Sequence, residues 1–234
     1  ASGAVKKLIT TEDMENGHLG LRSITRFYYP LALTSILSLG VHPFVTFFMG
    51  RSYMPVESLA VLPVVSSLVF VFRSLGLSYQ EVNIALIGRQ RQNYRLLRNY
   101  AVYLGIVVTV LVSLLAFTPL ADLWFIDVSG LSKELADLSY LPLQIMILLP
   151  ALTVLLNFQR SLLVVHGTTG PISKATAVEL VTIIVVLLVC VVFIGMAGVV
   201  AASIAYVIGK CASTLYLVPR QTKVIREWRS KYAD

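Results

Sequence analysis

Arg73 and Glu81 are charged residues inside a stretch, 58–88, that is otherwise mostly apolar. The stretch is long enough to cross a bilayer, for which about 20 residues suffice. An ionisable group at bilayer depth is costly unless it faces water or a protein interior, so each residue is a candidate functional group. A guanidinium stays charged and offers a planar fork suited to carboxylate or phosphate. A carboxylate in the same setting holds or releases a proton or a cation. Gly76 lies between the two, where it lets the helix bend or a neighbour approach closely. The structural alternative is that Arg73 snorkels, or pairs with an acid to lock helices together.

Six apolar stretches must position these groups. The first covers 24–49 and contains Pro30 and Pro43; a turn over 50–57 leads into 58–88. Arg89, Arg91, Arg95 and Arg98 follow with no acid among them, and a third span covers 100–117. Residues 119–137 carry Asp122, Asp127, Glu134 and Asp137 against Lys133. Trp124 and Phe125 in that segment are expected at the headgroup level, on an interfacial helix. The fourth span covers 138–165, with bends expected at Pro142 and Pro150. His166 to Gly170 (HGTTG) reads as a tight turn closed by Pro171 at a helix start. The fifth and sixth spans, 172–194 and 199–217, form a hairpin, and the sixth opens with small residues suited to close packing. Residues 1–21 read as a polar linker or the tail of a preceding helix, and 220–234 as a basic tail.

Composition agrees with a membrane bundle. Hydrophobic residues make up 57% and charged residues 13%, against roughly 25% charged in soluble domains. The net charge of +7 comes from basic residues in loops and at the end of the chain. That distribution fits the positive-inside rule rather than nucleic-acid binding. With an even number of spans, both termini, the arginine loop and the basic tail are expected in the cytoplasm. Cys190 and Cys211 lie in apolar runs and read as small reduced core residues. No phosphate-binding loop, metal-ligand set or nucleophile motif is present, so no catalytic residue, metal or cofactor is implied.

Once orientation is set, a rise of about 1.5 Å per residue converts position into depth. Glu81, Arg160, Glu179 and Lys210 each fall roughly 10 Å below the inner boundary, on four different spans, with Arg73 nearer the midplane. Arg160 and Lys210 reach far enough to snorkel; the short carboxylate stems do so poorly. Buried charges persist by pairing, so Glu81 and Glu179 are expected to pair with Arg160 and Lys210. Including Arg73, three cations then face two acids, and the surplus favours an anion. Gln80 beside Glu81, and Asn157 one turn before Arg160, are further binding candidates. The competing reading of each is helix–helix glue.

The segments FYYPLALTSILSLGVHPFVTFFMGR and AVLPVVSSLVFVFRSLGLSYQEVNIALIG resemble the second half of a multidrug/oligosaccharidyl-lipid/polysaccharide exporter (MATE-like) superfamily member. FQRSLLVVHGTTGPISKATAVELVTIIVVLLVCVVFIGMAGVVAASIAYVIG resembles the last three helices of that half. The first two spans look most like the progressive ankylosis protein family, where a second helix also carries an acid, here Glu81. The resemblance implies an all-α polytopic fold of six transmembrane helices in one bundle, half of a twelve-helix transporter working by alternating access. The missing wall of its cavity would come from an N-terminal six-helix half in the same longer chain, or from a second subunit. A start at Ala-Ser-Gly fits a piece of a longer protein.

The leading expectation is therefore half of a secondary transporter or exporter of an anionic or amphipathic solute. In that reading Arg73 meets the solute, and Glu81 and Glu179 carry H+ or Na+ as coupling ion. A lipid-linked saccharide flippase on the same fold, or a membrane scaffold that transports nothing, are the alternatives.

Overall fold

The structure, a computed structural model, describes residues 21–89 and 94–231. Its long helices are α1 (Leu21–Met49), α2 (Pro55–Arg89), α3 (Tyr94–Phe117), α4 (Lys133–Met146), α5 (Leu149–His166), α6 (Gly170–Leu188) and α7 (Gly198–Lys231). They provide six stretches long and apolar enough to cross a membrane, α4 and α5 together making the fourth. The chain is an integral multi-pass membrane protein built as one helical bundle.

Proline explains the break in the fourth span. Pro150 has no N–H to donate to the carbonyl four residues back, that of Met146, and its ring crowds that carbonyl. α4 accordingly stops at Met146, and α5 restarts at Leu149. Pro142, expected as a second bend, instead lies within α4. The fourth span also starts earlier than the sequence indicates, at Lys133, where Ser132 accepts a hydrogen bond from the Leu135 N–H. α7 runs without interruption through Pro219 to Lys231, so residues 220–231 of the basic tail belong to the sixth helix. The linker at 1–20 lies outside the described residues.

One expectation about the acidic segment is corrected. Phe125 is fully buried in the core and packs edge-on against Tyr140, so protein and not lipid surrounds its ring. It sits on a π-helical turn, Leu123–Val128, whose wider winding rotates the ring inward. Trp124 is half-buried and donates to the Val64 carbonyl at 3.4 Å. Tyr140 closes the same corner with a hydrogen bond to Asp122.

α2 lies centrally against α5, α6 packs along α7, and α1 rests on α6. Gly76 makes the α2–α5 approach possible: a Cβ there would stand 3.1 Å from the Val154 backbone nitrogen. Where α5 ends, Gly167 takes φ 83° and its successor Thr168 donates back to the Leu163 carbonyl at 3.0 Å. Left-handed backbone costs an ordinary residue about 1–2 kcal/mol. Gly167→Ala is therefore expected to destabilise the bundle by about 1 kcal/mol, read as a lowered unfolding midpoint in detergent.

Candidate functional site

Four helices bring charge to one place inside the apolar bundle. On α2, α6 and α7, Arg73, Glu179 and Lys210 fall between residues of the packed apolar clusters above and below them. Glu179 of α6 and Lys210 of α7 form an ion pair at 2.5 Å, their side chains 13% and 12% exposed. Gly209 permits it by letting α7 press onto α6: a Cβ there would stand 2.6 Å from Ile183 Cγ1 and 3.2 Å from the Glu179 carbonyl.

The two arginines are held by threonines. Arg73 donates from Nε to Thr153 Oγ1 on α5 at 3.2 Å. Thr153 gives its own proton to the Leu149 carbonyl at 2.8 Å, which leaves its oxygen free to accept. Arg160 of α5 donates from Nη2 to Thr176 Oγ1 on α6 at 3.1 Å, and Thr176 in turn bonds the Ile172 carbonyl. The Nε of Arg160 is buried with no hydrogen-bond partner among the described residues.

Glu179 acts on all three cations: its charge attracts Arg73, Arg160 and Lys210, and the arginines repel Lys210. Tyr206 stands one helical turn before Lys210 on α7. Lys210 is the cation in ion-pair contact with Glu179, while Arg73 and Arg160 bond to threonines, so three formal positive charges stand against one negative (3 − 1 = 2) in a low-dielectric interior. That arrangement can attract an anion, with two guanidinium forks as donors.

The other sequence candidates divide. Glu81 does not join this cluster. It is exposed on α2 and makes no ion pair among the described residues. Its line on the helix is that of Ser67, Ser74 and Ser78, spaced seven, four and three residues apart, a face turned away from the core. Ser67 and Ser74 bond their own backbone, to Val64 and Val71, so Glu81 is the strongly polar member of that face. Asn157 is buried and donates to the Gly76 carbonyl at 3.0 Å, fastening α5 to α2. Gln80, half-buried, stands two turns from Arg73 on the same side of α2.

Thr153, Thr176 and Tyr206 were not among the sequence candidates. Helical spacing was the available signal: Thr153, Asn157 and Arg160 are four and three apart, Thr176 and Glu179 three, Tyr206 and Lys210 four.

The structure superposes on one solved structure, a MOP superfamily transporter from Pyrococcus furiosus, with a TM-score of 0.64. The fold is that of a MOP transporter bundle. Identity is 18%, and the match covers 83% of this chain and 43% of the other, so this chain spans less than half of that transporter's length. The transporter is described as having a binding pocket of reverse polarity that suggests a different function. No protein-family model and no curated protein matches the sequence. The MOP-like bundle is thus recognised through the arrangement of its helices.

Proposed function

We propose that the chain is one six-helix half of a secondary transporter that moves an anionic or amphipathic solute by alternating access. The observation that carries this reading is the Arg73–Arg160–Lys210 group around the single acid Glu179. A scaffold needing only to lock its helices gains nothing from two extra half-buried cations, because unpaired charge away from water is destabilising.

Arg73 is the residue assigned to the solute, with Arg160 behind it. Glu179 is engaged with Lys210, so the exposed Glu81 is the better carrier of a coupling H+ or Na+. The Glu81 face of α2 would meet the second six-helix half, supplied by the same longer chain or by a second subunit. Both termini are assigned to the cytoplasm on the charge bias of the loops. Within the superfamily, the first two spans are assigned to the neighbourhood of the progressive ankylosis family.

Flux of carboxylate, phosphate and sulfonate probes through vesicles holding the full-length protein tests the reading. Arg73→Ala is expected to cut flux of the transported probe at least tenfold at normal membrane abundance. Arg73→Lys, which keeps charge but loses the fork, should fall between. Normal flux through Arg73→Ala would overturn the assignment.

A further inference from the structure

An apolar cleft of about 490 Å³ runs down the outside of the bundle between α3 and α5, apart from the charged cluster. Its floor is made by small residues, Ala101 and Gly105 on α3 facing Ala151 on α5. A Cβ at Gly105 would only just touch that of Ala151, at 3.7 Å, so the glycine keeps the cleft open rather than the helices close. Thr109 is the polar residue further along, and its hydroxyl is spent on the Gly105 carbonyl at 2.8 Å. Val102, Ile106 and Val110 stand exposed along the rim, so the cleft opens sideways to lipid.

One end is polar. Arg98 and the Gln221 amide form the mouth, and exposed Arg95 lies one turn beyond Arg98 on α3. No acid occurs on α3. From Arg98 to Val110 the helix rises roughly 18 Å, close to the depth of one leaflet, about half of a 30 Å hydrocarbon core. A long apolar slot one leaflet deep, closed by arginine at its headgroup end, has the shape and charge of a lipid. We propose that this cleft is a binding site for an anionic glycerophospholipid. One acyl chain lies against Ala101, Gly105 and Ala151, and the phosphate is bound by Arg98. Basic pockets between membrane helices recognise such headgroups by the same chemistry. The inference rests on the chain's position in the membrane and not on the solute assignment.

Native mass spectrometry of the delipidated full-length protein, titrated with dioleoyl phosphatidylglycerol or dioleoyl phosphatidylcholine, tests it. Phosphatidylglycerol should bind about fivefold more tightly, the preference worth one arginine near a phosphate. Gly105→Leu, which fills the slot, should cut binding of both lipids at least tenfold. Arg98→Gln changes an exposed side chain; it should retain the lipid adduct while bringing the two lipids to equal affinity. Equal binding of the two lipids by the unaltered protein, or an unchanged preference in Arg98→Gln, would overturn the proposal. So would a folded Gly105→Leu protein that binds lipid as before, as expected if a protein helix fills the slot.

Discussion

Glu179→Gln is expected to lower the stability of the bundle by about 3–5 kcal/mol, the usual cost of removing one partner from a buried ion pair. The change keeps the size of the side chain, so packing around Ile183 and Gly209 is preserved. What disappears is the carboxylate paired with Lys210, whose charge also attracts Arg73 and Arg160. The reverse change, Lys210→Met, should cost less, because the two arginines still neutralise Glu179 while the methionine fills the space of the lysine stem. Combining Glu179→Gln with Lys210→Met should recover part of the loss, since one uncompensated cation is removed. Unfolding midpoints in detergent, measured for the three variants, decide it. Glu179→Gln costing no more than Lys210→Met would mean that the carboxylate serves Lys210 alone.

Gly76→Val should be almost as damaging, by a different route. Helices in lipid gain little from hydrophobic burial against each other, so close backbone packing and interhelical hydrogen bonds hold them. At Gly76 a Cβ would stand 3.0 Å from Val154 Cγ2, 3.1 Å from its nitrogen and 3.3 Å from its Cα. Two of those atoms are backbone, so the clash cannot be relieved by turning a side chain. α2 and α5 must separate, and the Asn157 amide then loses the Gly76 carbonyl at 3.0 Å. Overpacking costs about 1–3 kcal/mol, and a stranded buried amide roughly 1–3 more, so the expected total is about 3 kcal/mol or above. Gly76→Ala should lose about half of that. Arg73 sits one turn away and bonds Thr153, the residue before Val154, so the same separation should weaken anion affinity. A Gly76→Val protein with an unchanged midpoint would show that α2 and α5 do not meet this closely.

The six-span bundle was legible because its main signals are one-dimensional. Length and apolar content mark spans, and loop arginines mark a side, without any contact between helices. Depth is also one-dimensional, since each residue of a helix adds a fixed rise, and this placed Glu81, Arg160, Glu179 and Lys210 in one layer. Rotation about each helix axis is what depth leaves open. Eight residues separate Arg73 from Glu81, a turn of about 80° beyond two full revolutions at 100° per residue. That angle leaves Arg73 bonded to Thr153 while Glu81 points out of the bundle. The alignment of Glu81 with Ser67, Ser74 and Ser78 was readable in the sequence, yet which face met the core was not.

The sequence by itself determined the number of spans, their order and their polar ends, because these depend on the chain's own composition. Only the tertiary structure decided which charges meet. Two glycines control that outcome: Gly76 sets how closely α2 and α5 pack, and Gly209 how closely α7 packs on α6. Glu179 became the partner of Lys210 because α6 and α7 approach there to within backbone contact. Glu81, of the same charge, was left outside because a side chain reaches only the helices its own face touches.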